Sequence, residues 1–460
     1  MKIYNIQRLL LIVVTFLGLV SVSFVSFGSF SLHEQYNGYT ISSITLFVSS
    51  IVVLLLAGVN KAASQLYFSF FMVFIIFHLG IPLGAAIAGS DAAASDYLDS
   101  WFLQQYTVPA ILSVFLFMAS YLLAYLVTFT RRVYVPQPIR LNEFHFKILF
   151  YVLCVLVFVW ITFVKVVYSV QNYSEYYEFA EVGFLQFIYV YFNGLIGFIF
   201  VLLCLSGTYR RYGIALFFVW AIFAFPIGLR GGVLFPLAVS VPVLVSRGAL
   251  RVSLLSAVSG MLVILLAISF VFNYRGEGSV SADAQINPVA AIIEMGGSLR
   301  PVFEVHKWIE TQDVNYMLGE TYWAPFERTL SKLLPFVGRI ESVEDERLMN
   351  VMIVKKAGPY GFSIVAEAFI NFGWLGVIAI GFVVGCLLRH LDWKISQSDS
   401  EGFSYVDVAL AMAIFFHIRQ SFVGAYGTFL SAIVVCAAIT LMISYFGRVS
   451  YLSREPGKKH

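Results

Sequence analysis

The chain contains 460 residues, of which 60% are hydrophobic and only 12% are charged, and its mean hydropathy is +0.86. A soluble domain typically carries about 25% charged residues, so this composition excludes a soluble globular protein and indicates an integral membrane protein. The net charge of +3 points to no partner, nucleic acid included, because the charges are sorted along the chain. The four cysteines lie within apolar segments, without the spacing of a disulfide framework or a metal site.

Long apolar segments follow one another along almost the whole chain. A membrane-spanning helix needs about 20 apolar residues, and segments near that length predict an all-α protein with about twelve transmembrane helices. These segments are 9–30, 41–59, 66–89, 107–130, 148–168, 184–206, 214–229, 233–246, 253–273, 361–388, 405–425 and 426–446. The first is longer than the roughly 7–15 residues of a signal-peptide core, so we expect it to be retained as a span.

Lysine and arginine are distributed unevenly among the short connections. Connections 31–40, 90–106 and 169–183 contain neither residue, whereas the alternate connections contain several. The positive-inside rule then predicts that the alternate connections and both termini are cytoplasmic. The basic residues of those alternate connections are Arg131, Arg132, Arg140, Lys147, Arg210, Arg211, Arg247, Arg251, Arg389 and Lys394.

The segment 274–360 is a long hydrophilic stretch that the charge pattern places outside the cytoplasm. We expect short amphipathic helices on the outer leaflet at 288–311 and 321–334. The predicted organisation is therefore spans one to nine in 1–273, a large extracytoplasmic loop in 274–360, and spans ten to twelve with a cytoplasmic tail in 361–460.

Four arginines lie on the predicted outer side, where a cation near the membrane is costly and is usually functional. The four are Arg230, Arg275, Arg300 and Arg419. The apolar segments that precede Arg230 and Arg419 are shorter than a span, since about 16 residues reach about 24 Å of the roughly 30 Å required. We therefore expect both guanidinium groups to be recessed at headgroup depth, with Gly231 and Gly232 permitting a tight turn beside Arg230.

An arginine at that depth suits a pyrophosphate ligand, because its planar and permanently charged guanidinium binds two phosphate oxygens together. The alternative for Arg230 and Arg419 is a side chain that snorkels to the surface. Arg275 follows a full-length span, so snorkelling is an equal alternative there. Arg300 has a solvated loop face as its alternative.

Glu367 and Asn371 are four residues apart near the outer end of predicted span ten, so they share one helix face. A carboxylate there suits a general base, with Asn371 orienting the substrate. The alternative is a structural ion pair with one of the arginines. Glu294, close in sequence to Ser298 and Arg300, and His306 in the large loop are further candidates for the base.

Two other groups of ionisable residues have a structural interpretation. His417, in predicted span eleven, is interpreted as a satisfied core residue rather than a base. The acidic run Glu341, Glu344, Asp345 and Glu346 is interpreted as a solvated face, because it lacks regular metal-ligand spacing. The sequence therefore predicts no metal site.

One motif resembles that of a known family. Residues 361–376 read GFSIVAEAFINFGWLG, which resembles the G-x-S-x-x-x-E-x-x-x-N-F-G-x-x-G signature that follows the large periplasmic loop of Wzy-type O-antigen and capsule repeat-unit polymerases. The stretch GLRGG at 228–232 resembles their G-x-R-G element. The resemblance implies a GT-C-like, metal-independent membrane glycosyltransferase without a cofactor.

The same resemblance implies the substrates and the location. The growing glycan would move from an undecaprenyl pyrophosphate donor to a lipid-linked acceptor repeat unit, at the periplasmic face of the bacterial inner membrane. The alternatives are an O-antigen ligase and a lipid-linked oligosaccharide flippase or secondary transporter. Against them stand the missing His-Asn motif associated with ligases and the missing pair of similar halves common in carriers. The sugars, and whether a chain-length regulator protein is a partner, stay open.

Overall fold

The computed structural model describes residues 13–14, 18, 21, 34–57, 65–88, 102, 104–124, 142–171, 175–176, 191–252, 259–260, 263–269, 271, 288–333, 345–358, 360–396 and 404–452. Within these ranges every regular element is helical, which confirms the predicted all-α class. The α-helices are α1 Glu34–Ala57, α2 Leu66–Ala88, α3 Thr107–Leu123, α4 Glu143–Ile161, α5 Asn193–Cys204, α6 Arg210–Ile227, α7 Arg230–Ser246, α8 Pro288–Met295, α9 Leu299–Glu310, α10 Glu320–Leu333, α11 Met349–Lys356, α12 Ile364–Ser396, α13 Tyr405–Phe416 and α14 Phe422–Leu452.

Five helical stretches in this described part are long and apolar enough to cross a membrane. They are Leu66–Ile87, Glu143–Val167, Arg210–Ile227, Ile364–Ser396 and Phe422–Met442. Further apolar helices are shorter, among them α3, α5, α7 and α13. Predicted spans 9–30 and 253–273 lie mostly outside the described residues, so the count of twelve stays a prediction, as does the GT-C-like architecture.

The chain divides into two compact units. Unit 1 comprises Met1–Thr130, Leu250–Trp393 and Ile414–Tyr426, and unit 2 comprises Arg131–Ala249, Lys394–Ala413 and Gly427–His460. Each unit therefore combines residues from distant parts of the sequence.

In unit 1, polar contacts join α2, α3 and α12. The carboxylate of Asp392 accepts the N–H groups of Leu66 at 2.6 Å and Tyr67 at 3.1 Å, and so caps the N-terminus of α2. Tyr67 and Tyr121 stack with ring centroids 4.3 Å apart, and each hydroxyl donates to the other residue's carbonyl. The helix α8 also packs against α2, which brings the start of the loop region to the same core.

In unit 2, the core is aromatic. The rings of Phe200 and Phe217 stack 4.0 Å apart, and Trp160 meets Trp220 edge to face at 5.9 Å. Helices in a bilayer associate through close packing rather than through exclusion of water, so these ring contacts stabilise the packing of α4, α5 and α6.

The turn before Arg230 differs from the prediction. Gly228, at φ +107°, ends α6 in a Schellman motif, in which its N–H donates to Phe225 and the Leu229 N–H donates to Ala224. The predicted turn at Gly231 and Gly232 is wrong, because both lie in the first turn of α7. A glycine is needed where the left-handed backbone occurs, and that position is Gly228.

The boundaries of predicted spans ten to twelve are also corrected. α12 is interrupted at Phe372 and Gly373, which have non-helical dihedral angles, so residues 364–371 form a separate short helix before the longer 374–396 segment. Predicted spans 405–425 and 426–446 are instead α13, a break at 417–421, and α14. Apolar residues on both sides of these breaks conceal them from a hydropathy pattern. The short helix 364–371 is called the motif helix below.

The segment predicted to be the large loop contains helices α8 to α11 in its described part. Predicted helices 288–311 and 321–334 are confirmed, the first divided by a 3-10 turn at Gly296–Ser298. α10 leaves Trp323, Phe326 and Leu330 exposed on one face, with exposed fractions of 65%, 42% and 55%. Such a face suits the predicted position on a membrane surface, which stays a prediction.

We predict the orientation of the loop with two single-cysteine variants in a background without the four native cysteines. Asn315→Cys replaces an exposed loop residue, and Gly207→Cys replaces an exposed glycine in a predicted cytoplasmic connection. In intact spheroplasts an impermeant maleimide should label only position 315, because the basic residues hold the other connection inside. Labelling of position 207 alone would reverse the topology.

We predict that Gly373→Ala destabilises the protein. Gly373 has φ +60° and ψ −147°, a combination restricted essentially to glycine. Alanine should cost about 1–3 kcal/mol there, seen as a lower Tm in a detergent thermal-shift assay. Gly427→Ala is the matched control, because Gly427 lies within α14 and an added Cβ meets nothing within 4 Å. Equal melting temperatures for the two variants would contradict the strained backbone.

Candidate functional site

The motif helix begins with a buried serine cap. The Ser363 hydroxyl accepts the N–H groups of Val365 at 3.1 Å and Ala366 at 3.5 Å. Its own O–H faces His78 Nε2 at 2.7 Å, while His78 Nδ1 lies 3.2 Å from the Phe74 carbonyl. The natural tautomer therefore has Nδ1–H donating to the carbonyl and Nε2 accepting from Ser363. This chain of bonds fixes the start of the motif helix against α2.

Glu367 lies in the middle of the motif helix and is 1% exposed. Its Oε2 accepts the N–H of Phe422, the first residue of α14, at 2.6 Å. The same oxygen lies 3.1 Å from His417 Nε2, in the break between α13 and α14. The Ile364 N–H also donates to the His417 carbonyl at 3.1 Å, so motif helix and break are joined at two places.

Asn371 ends the motif helix and is fully buried. Its Oδ1 accepts the Gly319 N–H at 2.8 Å, and its Nδ2 donates to Thr321 Oγ1 and to the Glu367 carbonyl, both at 2.7 Å. Both amide hydrogens of Asn371 can therefore be engaged by protein groups. These bonds attach the loop before α10 to the motif helix. The predicted role of Asn371 in orienting the substrate stays a prediction.

Two of the predicted arginines lie beside the residues that lead into the motif helix. The Arg419 guanidinium is 5.6 Å from the Phe77 ring centroid, and a Cβ on Gly361 would meet the Arg419 backbone and side chain. The Arg300 guanidinium is 5.6 Å from the Tyr360 ring and 2.6 Å from the Glu304 carboxylate. Arg300 and Arg419 thus contact neighbouring residues, Tyr360 and Gly361.

The other two arginines are placed differently. Arg230 belongs to unit 2, where it is the first residue of α7 and is 4% exposed. The recessed position of its guanidinium at headgroup depth stays a prediction. Arg275 lies outside the described residues.

The alternative candidates for the base lie outside the hydrogen bonds that surround Glu367. His306 packs on Phe369 and Trp374, and its Nε2 is 2.8 Å from Ser113 Oγ. Burial lowers the pKa of His306 to about 3, so the imidazole is neutral near pH 7. Glu294 is half-buried in α8.

Two residues of this cluster were missed by sequence reasoning. His417 was interpreted as a core residue, yet it faces the motif carboxylate; its position two residues before Arg419, inside a polar interruption, was the available signal. Tyr322 was one of many aromatic residues in the predicted loop, yet the residue is half-buried and its hydroxyl oxygen is fully buried. Burial, followed by the negative charge of Glu367, raises the pKa of Tyr322 well above its usual value.

The predicted solvated acidic face is wrong at Asp345. Asp345 is 4% exposed and pairs with Arg347 at 3.0 Å and with Arg328 at 3.9 Å. Burial by itself raises the pKa of Asp345, but the hydrogen bonds and charge of Arg347 outweigh it, and the net shift is downward. Glu346 is exposed and meets Lys355 at 3.3 Å.

The remaining acidic residues, Glu341 and Glu344, lie outside the described residues. In the ranges that are described, no group of three or more His, Cys, Asp and Glu side chains could hold a metal ion.

Comparisons with known proteins agree with the motif. The profile of the family described as O-antigen polysaccharide polymerase Wzy matches residues 9–448. Protein CapE of Staphylococcus aureus is 24% identical over 265 residues, which are 56% of this chain and 57% of that protein, so the match spans little more than half the length of this curated relative. No solved structure matches the chain significantly. Because the family profile covers nearly the whole chain, the protein belongs to the O-antigen polysaccharide polymerase Wzy family.

Proposed function

We propose that the protein is a membrane glycosyltransferase that joins lipid-linked oligosaccharide repeat units into O-antigen or capsular polysaccharide. The observation that carries the proposal is the buried Glu367–His417 pair, set in the family motif with Arg300 and Arg419 close to its start. Transfer of a glycan from a lipid pyrophosphate requires a proton acceptor for the attacking hydroxyl and cationic groups that bind the leaving pyrophosphate, both at one site.

The arginines would bind the donor. Arg300 and Arg419, with Arg230 and Arg275 as further candidates, would hold the undecaprenyl pyrophosphate through paired contacts to its oxygens. Negative charge grows on this leaving group as the glycosidic carbon–oxygen bond breaks, so fixed cations lower the barrier. The site would lie at the periplasmic face, following the charge pattern of the connections.

The Glu367–His417 pair would accept the acceptor's proton. An ionised carboxylate only accepts hydrogen bonds, so the proton between the two residues belongs to His417 Nε2. That leaves His417 Nδ1, which makes no hydrogen bond within the described part of the chain, as the basic atom. Glu367 then orients the imidazole and stabilises its protonated form, and the bond from the Phe422 N–H holds Glu367 in place.

The bond changes balance without a metal or a cofactor. The acceptor hydroxyl loses its proton to His417, and its oxygen bonds to the anomeric carbon of the donor glycan. The bond from that carbon to the phosphate oxygen breaks, and the lipid pyrophosphate leaves with the electron pair. A general base of this kind contributes about 10²–10⁴ in rate.

The predicted topology belongs to the same proposal: both termini lie in the cytoplasm, and the spans cross the inner membrane of a bacterium. Residues 274–360 form the external loop between spans nine and ten, and residues 361–460 carry the last spans and the tail. Donor and acceptor glycans are the substrates, and a chain-length regulator is a partner to be sought by co-purification.

A deletion strain distinguishes this proposal from its rivals. Loss of the polymerase should leave one repeat unit on each lipopolysaccharide core, or only a single repeat unit on the lipid carrier in a capsule producer. Loss of a ligase or flippase should leave no attached glycan at all. Banding on a silver-stained gel reads the outcome, and complementation with the wild-type chain is the control.

We predict that Glu367→Gln reduces elongation about 10²–10⁴-fold in vitro, because glutamine keeps the size of the side chain but loses the charge that orients His417. Asp392→Asn is the matched control, since Asp392 is a half-buried carboxylate that also accepts backbone N–H groups at a helix start. It should lower Tm while each folded molecule elongates normally. Normal elongation by a stable Glu367→Gln protein would remove the pair from catalysis and direct attention to Glu294 or His306.

A further inference from the structure

We propose that Tyr322 forms the acceptor-sugar subsite, in which its hydroxyl binds a neutral hydroxyl group of the incoming repeat unit. This inference rests on the proposed glycosyltransferase function and adds the location of the acceptor. It divides the site into a cationic end for the donor and a neutral, aromatic end for the acceptor.

The first observation is the state of the Tyr322 hydroxyl. Its oxygen is buried and has no hydrogen-bond partner among the described residues. Leaving a buried hydroxyl unpaired costs about 1–3 kcal/mol, and native proteins retain few such groups. A ligand hydroxyl that both donates and accepts would satisfy it.

The second observation is how firmly Tyr322 is positioned. The residues just before it are bonded to the end of the motif helix: the Met317 N–H donates to Ile370 O at 3.0 Å, and the Leu318 N–H donates to Asn371 O at 3.1 Å. The Asn371 side chain adds its bonds to Gly319 and Thr321. Asn371 is therefore a positioning residue, which holds the start of α10 against the helix that carries Glu367.

The third observation is the charge at each end of the motif helix. The Arg300 guanidinium lies over the ring of Tyr360, and the backbone and Cγ of Arg419 lie against Gly361, both before the start of the helix. The residues just before Tyr322 are instead bonded to the last residues of the helix. The negative charge of Glu367, in the middle of the motif helix, acts on the Tyr322 phenol and raises its pKa further. A pyrophosphate would be repelled at this end, and a neutral sugar would not.

The surrounding rings also suit a sugar. Phe422 meets Tyr322 edge to face with centroids 5.2 Å apart, and Phe372 lies nearly parallel to it at 6.5 Å. Phe372 is 45% exposed and Trp323 is 65% exposed. The C–H faces of a pyranose pack on such aromatic surfaces, while its hydroxyl groups need polar partners. Tyr322 provides the polar partner within this aromatic group.

The test uses the full-length protein in lipid nanodiscs, elongating lipid-linked repeat units from the strain itself. Two soluble probes compete with the substrates. One is the oligosaccharide released from the repeat unit by mild acid and then reduced, and the other is inorganic pyrophosphate. Tyr322→Phe should raise the inhibition constant of the oligosaccharide about three- to tenfold, as for one neutral hydrogen bond. The constant for pyrophosphate should not change, whereas Arg419→Gln should show the reverse pattern.

Tyr426→Phe is the matched control. Tyr426 belongs to the same aromatic group, with its ring 6.2 Å from Phe422 and 4.5 Å from Phe326, and it should change neither constant. The Tm of Tyr322→Phe should equal or exceed that of the wild type, because the variant removes an unpaired buried hydroxyl.

An unchanged oligosaccharide constant, a shift in the pyrophosphate constant alone, or a loss of Tm with equal shifts in both would overturn the subsite. So would a wild-type protein that elongates its substrate but is not inhibited by the oligosaccharide. These results leave the proposed function standing, because the wild type still elongates. A wild-type protein that makes no polymer overturns the proposed function, and the subsite with it.

Discussion

A carboxylate buried among apolar helices persists only where hydrogen bonds or an opposite charge compensate for its lost hydration. The carboxylate of Glu367 accepts the N–H of Phe422, at the N-terminus of α14, and lies within hydrogen-bond distance of the His417 imidazole. The first N–H groups of any helix lack partners within that helix, so the break before α14 supplies a donor that an unbroken helix would not. The interruption at 417–421 is thus part of the same arrangement as the buried charge.

The kink at Phe372 and Gly373 follows a similar logic at the other end of the motif helix. Ending the helix inside an apolar region leaves carbonyl groups without partners, and the N–H groups of Met317 and Leu318 bond to two of them. The loop that precedes α10 is therefore attached to the motif helix by backbone bonds as well as by Asn371. An irregular backbone near a membrane requires such internal partners, and here they also determine where Tyr322 lies.

This arrangement separates two kinds of chemistry over a helix of eight residues. Arg300 and Arg419 lie against the residues before the helix, and an acid–imidazole pair occupies its middle. The loop that leads to the phenol of Tyr322 is bonded to its end. Bringing an anionic leaving group and a neutral nucleophile together requires surfaces of different polarity on either side of the proton acceptor. The proposed roles of Arg300, Arg419, His417 and Tyr322 follow from that requirement.

Composition and hydropathy determined the all-helical membrane class, because apolar length is a property of the chain alone. The spacing of Glu367 and Asn371 and the surrounding motif also indicated the central segment of the candidate site. Only the tertiary structure decided that His417 faces Glu367, that Asn371 bonds to the loop, and that Asp345 is buried between arginines. The bonds of Glu367 with His417 and of Asn371 with Gly319 join residues about fifty positions apart, and Asp345 is buried by the fold around it. Periodicity records neither packing partners nor breaks flanked by apolar residues. The sequence could therefore indicate which residues carry charge in the membrane, while the fold alone determined which of them neutralise one another.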